Sequence, residues 1–212
     1  MRKYLVAAIL SLVPLLCQGQ AKLYTKGNKF SDFTSKTTKI VLGSNDNLNE
    51  ALQLGISSRW RLSPFDFCTE DHYKKNRKSD NYYFIHQEMI DGVTFLVLSR
   101  GGVEGGGDPK KEAFDVFSMP VCSEAYNSES NYEYMDAMVD IMQQFIEDVL
   151  ESPQILIVGL NHYNKFQGRI KKNPCQQVDI FSNPVSEKSA NYTYIFNSET
   201  HELYSFRKTK QK

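Results

Sequence analysis

Four histidines, four cysteines, a glycine-rich run and 25 carboxylates are the residues through which this chain could do chemistry. His72, His86, His162 and His201 are scattered. None stands in a His-x-x-x-His or His-Glu-x-x-His spacing, which would bring two imidazoles onto one helix face for a metal. Each is therefore expected as a satisfied structural histidine. Cys68, Cys122 and Cys175 form no Cys-x-x-Cys pair and no zinc pattern. In an oxidising compartment two of them can pair, in any of three ways that spacing does not separate; as three separate buried thiols they act as small hydrophobes.

The run Gly101-Gly102-Val103-Glu104-Gly105-Gly106-Gly107-Asp108-Pro109 looks at first like a phosphate cradle. Such a cradle needs glycines that open a helix and, in a P-loop, a following Gly-Lys-Ser/Thr. This run joins two strand-like segments and carries Glu104 and Asp108 where an anion would be repelled, so it reads as a hairpin tip. No Gly-x-Ser-x-Gly elbow is present to present a nucleophilic serine. A glycosidase acid pair is defined by separation in space and is not visible in sequence. Asp66, set between Phe65 and Phe67, would have a raised pKa if it faced the core; an edge or outward position is the expected one.

The elements that must position these residues start with Thr38–Asp71. Lys39-Ile40-Val41-Leu42 is a short β-branched run closed by Gly43 and followed by the helix-capping types Ser44-Asn45-Asp46-Asn47. Leu48, Leu52, Ile56 and Trp60 recur along one helical face, and Asn47 with Glu50 resembles a capping box. Ser63-Pro64 ends that helix and Phe65-Asp66-Phe67 alternates as a strand. This is a βαβ unit with two parallel strands. Ligands of such units bind beyond the C-terminal strand ends, which here carry Gly43, Ser44, Asn45, Cys68 and Thr69 as the candidate ligand-binding residues. Capping is the rival role for the same positions.

Thr69-Glu70-Asp71 can cap a short helix through Tyr73, with Lys74 to Lys78 as wet face and loop. Asn81–Ile90 and Val93–Arg100 flank Asp91-Gly92, the dipeptide of a type I′ hairpin turn. Glu112–Met119 adds a third antiparallel strand, and Pro120–Ser130 reads as a connector. Asn131–Glu151 is the best helix, with Met135, Met138, Met142, Phe145 and Val149 at three-four spacing and Asp136, Asp140, Gln143, Glu147 and Asp148 around them. Ser152-Pro153 favours a further helix over Gln154–Leu160, although Ile155-Leu156-Ile157-Val158 has strand character. Gly168–Ala190 is loop-like around the apolar island Val178–Phe181, and Tyr192–Phe196 with Leu203–Phe206 forms a terminal hairpin. The predicted class is α/β: one domain over 38–206, with a mixed sheet begun by the βαβ unit, extended by a central antiparallel meander and covered by helices.

Arg2-Lys3, an uncharged apolar run from Tyr4 to Leu16 and then Cys17-Gln18-Gly19 have the three-part form of a secretory signal peptide over 1–19. The run is short of the roughly 20 residues that span a bilayer as a helix. Pro14-Leu15-Leu16 lacks the small residue usual before an acylated cysteine, so cleavage after Gly19 is expected rather than lipidation of Cys17. Residues 20–37 read as an extended lead-in and 207–212 as a basic solvated tail. Equal numbers of basic and acidic residues, 25 each, give no basic balance for nucleic acid.

Lys36–Leu42, Trp60, Ser63–Thr69 and Asn81–Phe84 together resemble a family of uncharacterised exported proteins of Bacteroidetes. The resemblance implies a mixed α/β fold and an envelope location, periplasmic or at the outer membrane, and it carries no catalytic residues over. The expected function is thus a non-catalytic partner- or ligand-binding protein of the cell envelope. No metal or cofactor is expected, and the partner is an envelope protein. The other classes are a hydrolase of envelope or dietary polymers with an acid pair assembled from distant segments, and a structural subunit of a surface assembly.

Overall fold

The computed structural model describes residues 30–102, 113–123, 132–183 and 189–210. The expected signal peptide, Cys17, most of the glycine-rich run, most of the expected connector and Asn131, the first residue of the expected long helix, lie outside the described residues.

The βαβ unit is present. Strand β1 (Thr37–Leu42) leads to helix α1 (Asp46–Arg59) and strand β2 (Phe65–Thr69). The two strands pair in parallel, Ile40 opposite Phe67 and Leu42 opposite Thr69. Helix α1 buries Leu48, Leu52 and Ile56, and Trp60 follows at its C-cap. The cap at its other end is Asn45, whose side chain accepts from the Leu48 N–H at 3.1 Å, and not the expected Asn47. The extended backbone of Asn45 and the helical backbone that starts at Asp46 explain the shift.

Thr69 caps helix α2 (Glu70–Asn76), which continues one turn past Tyr73; Lys74 and Lys75 sit in its last turn, where cations favour the helix dipole. The meander follows as β3 (Tyr82–Ile90), β4 (Val93–Gly101) and β5 (Ala113–Ser123), in a sheet of order β2-β1-β3-β4-β5. Asp91 and Gly92 both take positive φ, 52° and 75°, as a type I′ turn requires. Pro120 does not begin a connector. It lies inside β5, an edge strand, beside a register shift, where a residue without an N–H is tolerated.

Helix α3 (Met135–Glu151) is followed by the short α4 (Ile155–Val158) and a 3₁₀ segment Gly159–Arg169, so the helical reading after Pro153 holds. The stretch read as loop around Val178 is a strand, β6 (Cys175–Ile180). It pairs with β7 (Ala190–Asn197), which pairs with β8 (Leu203–Lys210). The terminal hairpin is thereby the larger part of a separate three-stranded sheet. Arg207, Lys208 and Lys210 are exposed residues of β8 rather than a tail, and the described part of the lead-in, from Phe30, is a turn and a 3₁₀ turn (Phe33–Ser35) instead of extended chain. Phe30 and Phe33 pin it against Tyr83.

One core runs through both sheets. Tyr83, Ile85, Leu96, Leu98 and Met119 share it with Leu52 and Ile56 of α1, with Met138, Met142 and Phe145 of α3, and with Tyr194, Phe196 and Leu203 of the second sheet.

Candidate functional site

The five residues predicted as a ligand rim are brought together, since Val41 lies opposite Cys68 and Leu42 opposite Thr69. Their polar groups are largely taken up locally. Asn49 closes a pair of hydrogen bonds with the Gly43 backbone, both at 2.9 Å. Gln87 donates to Asn49 at 3.0 Å, and a Cβ on Gly43 would stand 2.7 Å from the Gln87 amide oxygen. Asn45 caps α1 and donates to the Tyr132 hydroxyl at 3.0 Å. Thr69 caps α2 through the His72 N–H at 3.3 Å. Cys68 is half-buried, and burial pushes its thiol above the ordinary range although Lys39 works the other way. Ser44 is exposed. The rim is a junction of helix caps, and the rival role describes it.

A more open site lies on the meander. Cross-strand pairs Glu88–Phe95–Pro120 and His86–Val97–Ser118 place these residues on one face, since side chains alternate along a strand and partners across strands point the same way. The near end of this face is covered by Tyr73 of α2, which stacks on His86 and meets Phe84 edge-on, each with ring centres 5.0 Å apart. Beyond His86 the face is open to a cleft of about 420 Å³ whose far wall is the second sheet: Tyr192, Phe206 and Lys208 face Ile90, Phe95 and Pro120. Phe95 meets Tyr192 edge-on at 5.6 Å, and the Lys208 ammonium sits 5.6 Å from the centre of the Tyr192 ring. Burial and then the charge of Asp91 push the Tyr192 phenol up, so it stays a neutral donor.

A second cleft of about 310 Å³ shares Ser118 with the first and bends around the edge of β5. Glu88, Val97 and Asp115 line it from the open face, while Phe117, Phe145 and Leu156 line it from the helix side. Phe117 is stacked on Phe145 at 4.1 Å. The two clefts meet at Ser118 and together make a groove with aromatic walls and a polar rim, a composition that suits a ligand.

Sequence reading placed several of the groove residues on strands, turns and a helix but assigned none of them to a site. The second sheet that walls the groove lies far along the chain and left no local signal in the meander.

Two histidines need separate treatment. His201 Nδ1 stands 2.8 Å from Asp140 Oδ2, an arrangement that a general base also uses. Asp140 is shared with Arg59 at 3.6 Å, and Arg59 also reaches Asp136 at 3.5 Å, so the set joins α1, α3 and the β7–β8 turn as a clasp. His86 is 7% exposed, and its buried Nε2 makes no hydrogen bond among the described residues; Asp115 and Glu88 stand 3.9 Å from its two nitrogens. It departs from the expectation of a satisfied histidine. Among the described residues no group of three or more His, Cys, Asp or Glu side chains is placed to hold a metal, and no helix is long and apolar enough to cross a membrane. Among the described residues Cys68 and Cys175 form no disulfide.

No family model matches the chain, and no curated protein or solved structure matches it either.

Proposed function

We propose that this chain is an exported, non-catalytic protein of a bacterial cell envelope, and that the groove on the meander holds its partner. The cleft between the meander face and the second sheet carries the reading: Ile90 and Phe95 of the first sheet and the largely buried Tyr192 and Phe206 of the second line it, with Asp91, Ser118 and Lys208 at its polar rim. The three-part N-terminal pattern and the resemblance to exported Bacteroidetes proteins support the envelope location.

The test is capture from a native envelope extract by the chain starting at Gln20, read by mass spectrometry. Ser118→Arg fills the point shared by both clefts and is expected to abolish the specific capture. Leu54→Arg alters an exposed apolar residue of α1 and is expected to leave it intact. Equal capture by the Ser118→Arg chain would reject the groove.

One observation favours the hydrolase class, namely that Glu88 and Asp115 line one cleft. Both side chains are wet, at 45% and 64% exposure, whereas an acid catalyst is tuned by exclusion of water. Glycan turnover abolished by Glu88→Gln would reverse the choice.

A further inference from the structure

The groove has a property that its shape alone does not convey: it straddles a free sheet edge. β5 is the last strand of the five-stranded sheet, so among the described residues no strand lies beside the outward N–H and C=O groups of alternate β5 residues. Its later half is covered. The buried Tyr194 hydroxyl donates to the Pro120 carbonyl at 2.8 Å, and Ser123 Oγ hydrogen-bonds the Phe181 carbonyl next to β6. Asp115 to Ser118 carries no such cover from a strand among the described residues.

An extended chain laid along that edge would send alternate side chains to opposite faces of the sheet. On the helix side they would enter the apolar part of the second cleft, between Phe117, Phe145 and Leu156. On the open side they would meet Asp115 at the edge, with Glu88 further in on β3; among the described residues these are the charged ones that line that cleft. The two sides therefore ask for different chemistry, apolar on one and basic on the other, at every second residue. Pairing with a second copy of β5 is disfavoured by the same charges, because Asp115 would approach another Asp115 or Glu88.

We propose that β5 takes up an extended peptide segment of its partner by strand addition at Asp115–Ser118, and that the segment alternates apolar and basic residues. The inference rests on the groove reading above and names the partner's chemistry. Recognition is by main-chain hydrogen bonds along β5, with an apolar side chain against Phe117 and Phe145 and a Lys or Arg opposite Glu88 and Asp115.

The probe is a labelled, capped Val-Lys-Val-Lys-Val-Lys hexapeptide titrated into the mature chain and read by fluorescence anisotropy and amide exchange. It is expected to bind about tenfold or more tightly than Val-Glu-Val-Glu-Val-Glu, the scale of two or three surface charge pairs. The Glu88→Lys, Asp115→Lys double variant is expected to invert that preference; both side chains are exposed, so the fold is retained. Of two hexapeptides N-methylated at odd or at even residues, one is expected to lose binding, and the amides of Asp115 to Ser118 are expected to gain protection. Binding that ignores both N-methylations, or that protects amides elsewhere, overturns strand addition. If no hexapeptide binds while Ser118→Arg still abolishes envelope capture, the peptide class falls and the groove stands. If capture ignores Ser118→Arg, the groove itself falls.

Discussion

Asp32 illustrates how single residues of this chain are tuned by what the lead-in brings to the sheet. Burial works to raise its carboxyl, but hydrogen bonds from Tyr83 at 2.7 Å and from Lys36, with the charges of Arg100 and Lys36, outweigh it and hold the carboxyl below the ordinary aspartate range. A carboxylate whose folded pKa is depressed stabilises the fold at pH above its unfolded value, and that stability is lost as pH falls through the folded value. Resistance of the wild-type chain to urea should therefore fall as pH drops below the ordinary aspartate range, and Asp32→Asn should be less stable at neutral pH with a flatter acid limb. His86 makes the opposite case. Its ring stacks on Tyr73, yet its buried Nε2 makes no hydrogen bond among the described residues. Replacing an unsatisfied buried polar group by an apolar one of similar shape is near neutral or stabilising. His86→Phe should thus unfold at an equal or higher urea concentration, whereas His201→Ala, which breaks the pair with Asp140, should unfold at a lower one.

At the scale of elements, helix α3 was legible in position and only partly in role. Its three-four spacing marked the helix, with Asp136, Asp140, Gln143, Glu147 and Asp148 set around the apolar stripe. In the fold α3 lies between α1 and the second sheet, so burial extends beyond the stripe to Val139, Ile141, Ile146 and Gln143. Gln143 uses that position: its amide oxygen accepts from Arg61 N–H at 2.6 Å and its NH₂ donates to the Arg59 carbonyl at 3.0 Å, closing the C-terminal end of α1. Gln143→Leu leaves both backbone groups without that partner and should cost about 1–3 kcal/mol, read as a lower urea midpoint at unchanged m-value. β6 was hidden for a different reason. Its only apolar residues on the core face are Val178 and Ile180, after Pro174 and two glutamines, and its strand state comes from pairing with β7. Pattern within a segment cannot report a strand that its neighbour imposes. The βαβ unit and the meander were legible because each carries its own punctuation, at Gly43, Pro64 and Asp91-Gly92. The groove was not, because it is made where two sheets meet.

That meeting is the whole-molecule feature on which the groove depends. The two sheets share no paired strands, and they are held by α3 between them and by Tyr194, which is fully buried and reaches the Pro120 carbonyl at 2.8 Å. Burial pushes the Tyr194 phenol far up, so it stays a donor across the working pH range. Tyr194→Phe keeps the ring packing against Phe206 and removes only the hydroxyl, which strands the Pro120 carbonyl at the junction. The expected loss is about 1–3 kcal/mol, and its form discriminates between two pictures. If the shared core makes the sheets one cooperative unit, calorimetry will show a single transition that moves down as a whole. If the second sheet were a separate unit docked on the first, Tyr194→Phe would split the transition or move one part of it. Because Tyr192 and Phe206 wall the groove from that second sheet, the single-transition outcome carries a further consequence: the groove persists in Tyr194→Phe until global unfolding, so ligand capture at low temperature should match the wild-type chain.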